Sequence, residues 1–382
     1  MPTIKSFPNF FSQTDAIILQ DIQTVTDHLI QKYHAKCYVV GGAVRDRLLG
    51  YACKDYDIEC FGISIEDFES AMEHLGAQGV GKSFFVYKYH DLDIALPRME
   101  KKVGIGHRGF EVSLAREEKQ ASKRRDFTVN ALMYDIQNEQ ILDFWNGLQD
   151  LDEKVLRVVD EHSFVEDSLR VLRAMQFSAR FGFKIEEKSC VLSQGISLDD
   201  LPKERLFSEF EKMFTGRYLH YGLYYLFVLG IAQKLFDEKM DRKTFITLSL
   251  KLQKNQKNFL NELKPYYFLF ISRAYFNIDS KSLLDRLAAP KRYYKKVEML
   301  PLPLDITTSF IANVSLKEGI REYVGNYDPV VIMSAKKLDV WDKPFDRGVT
   351  ATELIAEGFE GKALGDELDR RTQEKINRLK EK

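Results

Sequence analysis

Cysteine is scarce in this chain of 382 residues, and its four copies, Cys37, Cys53, Cys60 and Cys190, share no CxxC spacing. Neither a disulfide scaffold nor a zinc framework is expected, and reduced, mostly buried thiols in a cytoplasm fit best. The seven histidines also lack metal-ligand spacing, and His90-Asp91 is an isolated dipeptide, so no metal-dependent phosphohydrolase module is expected. No run reaches the roughly 18 apolar residues that a membrane-crossing helix needs. The opening MPTIKSFPNFFSQTD has neither the charged start nor the continuous apolar core of a secretory signal. A bulk excess of charge is missing too. With 56 basic and 57 acidic side chains the net charge is −1, so any nucleic acid must be met by local patches.

What is present is an ordinary globular composition, 45% hydrophobic and 30% charged, in a chain long enough for two to four domains. Strand-like runs gather before about residue 160, at 38–40, 56–61, 84–89, 91–96, 110–114 and 131–136, with 155–159 a further candidate. Helical spacing takes over afterwards, at 163–181, 202–214, 218–236, 243–254 and 282–287. The spacing predicts an α+β chain: a mixed β-sheet head, then helices only. YGLYYLFVL (221–229) reads as a buried helix, and Leu300-Pro301-Leu302-Pro303 as a turn or boundary. Basic residues cluster at Lys101-Lys102 with His107-Arg108, at Lys123–Arg125, and around Tyr293-Tyr294 (Lys291, Arg292, Lys295, Lys296). The last group suits phosphates and exposed bases, or is simply a solvated helix face.

Three blocks carry chemistry. The first is YVVGGAVRDRLLGYACKDYDIE, from Tyr38 to Glu59. Strand formers lead into Gly41-Gly42, where the backbone can approach a ligand closely, and then into a short helix that carries Arg45 and stops at Gly50. Asp55 and Asp57 follow at a strand's spacing of two, so both carboxylates face one side and can seat Mg²⁺. Glu59 continues that face as a strand-end solvent residue and is not assigned to metal. Asp93, in the strand-like DLDIALPR, is either a third carboxylate, able to bind metal or accept a proton, or a charged strand end.

The second block, KRRDFTVNALMYD (123–135), concentrates Lys123, Arg124 and Arg125 ahead of Asp126 and Asn130, which share a face if helical and can accept from ribose hydroxyls. The third, VEDSLRVLRAMQFSARFGF (165–183), places Leu169, Leu172, Met175 and Phe177 on a core stripe. Glu166, Asp167, Arg170 and Arg173 fall elsewhere on its surface. Alone, Asp167 and Arg170 would be a helix ion pair worth a few tenths of a kcal/mol. DFWNGLQDL between these blocks reads as structural.

Taken together and in order, these segments resemble the class II tRNA nucleotidyltransferase and bacterial poly(A) polymerase family. GGAVRDRLLG with KDYDIE is similar to its first motif, RRDFTVNAL to the second, DFWNGLQDL to the third, EDSLRVLRAMQF to the nucleotide-selecting fourth and PKERLFSEFEKMF to the later neck motif. VTATELIAEGFEGKALGDEL resembles its tail. The resemblance implies a nucleotidyltransferase head like that of polymerase β at 1–160, neck helices at 161–225, a helical body at 226–325 and a tRNA-binding tail at 326–382. It implies that Asp55 and Asp57 hold two Mg²⁺ ions, one activating the RNA 3′-hydroxyl and one neutralising pyrophosphate, with Asp93 beside them. Gly41, Gly42 and Arg45 would hold the triphosphate, and Asp126 and Asn130, with Arg124 or Arg125, the sugar and phosphates; Arg173 is a further nucleotide-binding candidate. Asp167 and Arg170 would read the amine donor and ring-nitrogen acceptor that cytosine and adenine share.

The implied reaction is addition of CCA to the tRNA 3′ end from CTP and ATP, in the cytoplasm, without a membrane or an obligate protein partner. Partial addition of CC or A, and polyadenylation, use the same motifs. The Pro97–Ser122 segment, with Gly104, Gly106 and Gly109, is long enough for the family's C-to-A switching loop, and no long basic tail speaks for polyadenylation. A DxD glycosyltransferase would leave the Gly-Gly turn and Asp167/Arg170 unexplained, and a binding-only protein would have no use for crowded carboxylates.

Overall fold

The computed structural model describes residues 1–53, 55–81, 85–102, 110–237, 239–255, 266, 268–269, 280–298, 307–323 and 329–379. It divides into two compact units. One comprises Met1–Ser178, Gly182–Pro202 and Val228–Ile231; the other comprises Ala179–Phe181, Lys203–Phe227 and Ala232–Lys382.

The first unit is built on strands β1 (Thr3–Ser6), β2 (Lys36–Val40), β3 (Tyr56–Phe61), β4 (Gln78–Gly81), β5 (Val86–Tyr89), β6 (Leu92–Ala95), β7 (Arg98–Lys102), β8 (Phe110–Leu114), β9 (Met133–Asp135) and β10 (Gln140–Asp143). Eight of them form one mixed sheet in the order β1-β10-β9-β2-β3-β6-β5-β4, in which only β3 and β6 run parallel. Helices α1 (Ala16–Tyr33), α2 (Gly42–Leu48), α3 (Ile65–His74), α4 (Glu118–Lys123), α5 (Gly147–Glu153), α6 (Glu161–Val165) and α7 (Leu169–Phe181) accompany it.

Strand periodicity decides which face of the sheet is wet. Tyr56, Ile58 and Cys60 of β3 and Leu92 and Ile94 of β6 join Ile22, Val25 and Leu29 of α1 and Phe68 and Met72 of α3 in one core. The alternate positions, Asp57 and Glu59 on β3 and Asp93 on β6, therefore point to the opposite face. That pattern is legible in the bare sequence, and β3 and β8 keep their expected bounds.

Other expectations change in detail. The Pro97–Ser122 segment, expected as a loop, carries the antiparallel hairpin β7–β8 and the start of α4; its Gly104, Gly106 and Gly109, like His107 and Arg108, lie outside the described residues. The expected helix 163–181 is two helices, broken at Glu166–Ser168. The run expected as 218–236 divides at Gly230, which adopts φ +72°. Leu300–Pro303 lies outside the described residues. No described helix is long and apolar enough to cross a membrane.

The second block adopts no α-helix. Thr128–Asn130 is a single 3₁₀ turn, and Phe127 bridges Val158 in antiparallel fashion. Phe127 is fully buried, edge-on to Phe164 and Phe177 at 5.7 and 6.0 Å. The third motif locks this turn from below. Asp143 accepts from the amides of Trp145, Gly147 and Leu148, while Asp150 accepts from the Thr128 hydroxyl at 2.6 Å. Gly147 lies so close that a Cβ there would stand 2.3 Å from the Thr128 carbonyl oxygen and 3.1 Å from Leu132. DFWNGLQDL is thus a brace for the second block, as its structural reading anticipated.

The second unit is helical. Phe210 and Phe214 of Lys203–Phe214 pack on Phe236 and Phe268, and Gly222 is pressed against Met213 and Ala179, where a Cβ would meet atoms at 2.8 and 3.0 Å. The run expected to be buried on most sides leaves Tyr224 45% exposed. In Lys291–Glu298 the ring of Tyr293 is buried and its hydroxyl donates to Glu211, which also takes Arg292; the Tyr294 hydroxyl bonds Asp285. The Tyr293 ring packs inward, whereas Tyr294 keeps partial exposure. Near the C-terminus, Ala351–Ala356 and Gly361–Arg378 form the expected helix-loop-helix, opened by a Thr350/Glu353 capping box.

Replacing Gly147 by Ala should destabilise the first unit by about 1–3 kcal/mol through overpacking against the Thr128 backbone. Denaturant unfolding checks this, and an unchanged midpoint would show that the close approach relaxes freely.

Candidate active site

The open sheet face gathers the carboxylates. Asp57 and Asp93 are register partners on the parallel pair β3–β6, and Asp55 immediately precedes β3 and is exposed. Asp57 reaches solvent, yet the surrounding protein strips much of its hydration. This desolvation pushes its carboxyl above the usual carboxylate range; Arg125 pulls against it, and Asp93 and Glu59 push the same way. Asp93 is half-exposed, with Lys88 Nζ 3.9 Å from Oδ1.

Gly41 closes one side. It adopts φ +72°, and a Cβ there would stand 3.1 Å from Arg125 Nη1 and 3.7 Å from Asp57 Oδ2. Glycine is required on both counts, conformation and space. The sequence placed Gly41 by its turn; the structure adds that it touches both the second block and the acidic strand.

Glu59 departs from its reading as a solvent residue. It is 3% exposed, and its Oε1 accepts from Arg124 Nη2 and Arg125 Nη2, each at 2.8 Å. Burial alone would raise its pKa, but Arg125 and Arg124 outweigh burial and hold it below the usual range. Its alternating position on β3 was the available signal. Nothing in the sequence announced the two guanidiniums brought from some sixty-five residues away.

Arg45, expected at the triphosphate, is 4% exposed; it pairs with Asp46, donates to Asn130 Oδ1 and lies over the Phe177 ring at 5.0 Å. Asn130 donates to Asp126 Oδ1 at 2.8 Å, and Asp126 Oδ2 accepts from Arg173 Nε at 2.6 Å. Burial would raise the Asp126 pKa, but Arg173 and the Asn130 bond hold it below the usual range. Asp126 and Asn130 thus meet as expected, through a 3₁₀ turn instead of a helix face. Arg170 donates to the carbonyls of Ser163 and Arg124, while the Asp167 carboxylate accepts from the Leu169 amide at 3.1 Å.

The blocks converge: Asp57, Gly41, Arg125 and Glu59 form one cluster, and Arg45, Asn130, Asp126 and Arg173 form a second, joined through residues 124–130. Such an arrangement can receive a polyanion over a carboxylate pair. A cavity of about 570 Å³ lies instead among Arg347, Arg371, Lys375 and Glu357. Its Arg371 and Lys375 are already paired with acids, and it contains none of these carboxylates, so the chemistry is assigned to the sheet face.

Because Glu59 has a depressed pKa, its contribution to stability is present above the ordinary glutamate range and lost as pH falls through the folded-state value. Glu59→Ala should cost about 3–5 kcal/mol at neutral pH by leaving buried guanidiniums uncompensated, and should flatten the acid limb of stability. Denaturant unfolding across pH reads both, and parallel wild-type and variant curves would refute the role.

Residues 37–157 match the poly A polymerase head domain, and residues 182–241 match the probable RNA and SrmB-binding site of polymerase A. A multifunctional CCA protein of Nitrosospira multiformis is 36% identical over 211 residues, 53% of this chain and 50% of that protein. One from Pasteurella multocida is 39% identical over 214 residues, with the same two shares. The chain spans about half the length of the curated relatives it matches. The Thermotoga maritima CCA-adding enzyme solved with tRNA has the same fold, with a TM-score of 0.71, 23% identity and coverage of 98% of this chain and 95% of that one. A CCA-adding enzyme solved with ATP aligns at 0.65, also 23% identical, over 98% and 94%. The two family matches lie in order along the chain, 37–157 before 182–241, and the chain resembles the multifunctional CCA proteins over about half of its length.

Proposed function

We propose that this protein adds CCA to the 3′ end of tRNA from CTP and ATP, without a nucleic-acid template. The observation that carries this reading is the register pairing of Asp57 with Asp93 on an open sheet face, beside Gly41 and Arg125. Relatives named for CCA addition match over about half of the chain.

The donor set fits Mg²⁺. Among the described residues no three acidic, imidazole or thiol groups converge. Two carboxylates that leave the other positions to water and phosphate are what this ion takes, and a cation beside Asp57 would offset the desolvation that pushes its carboxyl above the usual range. Asp55 and Asp57 would hold the metal, with Asp93 adjacent. Bound there, Mg²⁺ would supply charge neutralisation for the nucleophile and the pyrophosphate.

The chain's own groups supply the rest. Gly41 leaves the backbone uncovered where phosphates approach, and Arg125 stands beside it as counter-charge. Asp93 would take the proton of the attacking 3′-hydroxyl as that oxygen bonds the α-phosphate and pyrophosphate departs. Asp167 and Arg170, at the entry to α7, would read the base: a carboxylate accepts its amine and a guanidinium donates to its ring nitrogen. Guanine and uracil would leave both mispaired, at about 1–3 kcal/mol for each buried group. The hairpin-bearing segment 97–122 would serve the C-to-A switch, and residues 326–382 would bind tRNA. The head-family description favours polyadenylation as the second reading.

Purified protein given tRNA ending at the discriminator base, with CTP, ATP or both, should yield CC and then A. Indefinite A-tails would establish polyadenylation, and no extension would end both readings. Asp57→Asn should lower turnover by at least about a thousandfold, roughly 4 kcal/mol, with an unchanged melting temperature because the side chain is exposed. Retained turnover would remove this carboxylate from the site. Arg170→Ala should raise use of UTP and GTP relative to CTP and ATP by about tenfold or more, without changing the Mg²⁺ requirement. An unaltered nucleotide preference would remove Arg170 from base selection.

A further inference from the structure

Phe177 belongs to the buried stripe of α7 and is 4% exposed, so its obvious role is packing. Two guanidiniums contradict so simple an account. The Arg45 and Arg173 guanidinium carbons each lie 5.0 Å from the centroid of this one ring. These arginines are already joined on their other side through Asn130 and Asp126. The five side chains close a loop that runs from α2 through the turn after Phe127 to α7 and back across the ring. Arg45 pairs with Asp46, and Arg173 with Asp126.

We propose that Phe177 is a positioning residue. Its π-face holds Arg45, from the phosphate-facing block, and Arg173, from the base-reading helix, in a single fixed geometry. The physical case rests on three points. The ring's negative face attracts a cation, more so where water is excluded, and Arg45 is 4% exposed. Two like charges drawn to one place repel, and a ring face attractive to both offsets part of that repulsion. Phe177 is itself immobilised, edge-on to the fully buried Phe127. An aliphatic side chain could fill the same volume but could not perform this task.

This inference rests on the functional reading above only for its kinetic consequence, and the test separates the two. Phe177 is replaced by Leu and, separately, by mono-, di- and trifluorinated phenylalanine, which keep the shape while draining the π-face. The first measurement needs no activity: the Arg45 and Arg173 side-chain Nε–H resonances, assigned by mutation. They should lose their ring-induced shift and gain mobility in Phe177→Leu, and move stepwise with fluorination. The second is steady-state addition to tRNA. The KM for CTP and ATP should rise together by about tenfold in Phe177→Leu and in steps along the fluorinated series, with kcat within about threefold. Fluorinated variants that match wild type in both measurements would overturn the proposal and leave Phe177 as packing alone. If the wild type extends no RNA, the functional reading fails, and the resonances still decide whether the ring holds both arginines.

Discussion

Seven residues, Arg124 to Asn130, hold the candidate site together, and their placement is a problem of charge. Arg124 and Arg125 bring two largely covered guanidiniums against the sheet, and Glu59, reaching up from β3, accepts from both. Asp126 is buried in turn and stays ionised because Arg173 and Asn130 attend it. Each buried charge has its partner on another element, so the segment can adopt this course only when β3, α2 and α7 are in place.

Around this electrostatic knot the packing is correspondingly tight. Phe127 anchors the segment among aromatic rings, Thr128 is tied to Asp150, and Gly147 leaves room for the carbonyl of Thr128. A turn that must aim side chains in three directions cannot rely on its own short hydrogen-bond ladder. It borrows rigidity from the DFWNGLQDL brace, whose Asp143, Gly147 and Asp150 hold the turn in place.

Sequence legibility followed period and spacing. Strand β3 kept its bounds because six residues of alternating character, flanked by turn formers, admit one reading. The same alternation placed Asp57 and Asp93 on the wet face. Less visible was anything set by partners far along the chain. Glu59 looked like a solvated strand end, because its environment is made by residues 124 and 125. Arg45 looked like a free cation in a helix's first turn and is instead a buried member of a network. The basic–aromatic cluster at 291–296 read either as a solvated helix face or as a surface for phosphates and bases; the sequence did not show that Tyr293 and Arg292 converge on Glu211.

Local chemistry in the chain was enough to place the acidic strand and the Gly-Gly turn and to order the motifs that resemble the family's. These depend on residues within a few positions of one another, where steric and periodic rules act without outside help. Folding decided which charges meet: that Arg125 stands by Asp57, that Asp126 is shared between Asn130 and Arg173, and that one phenyl ring faces two arginines. Coulombic and π interactions depend on distance in space, and a linear text carries no such distances until its strands have been laid side by side.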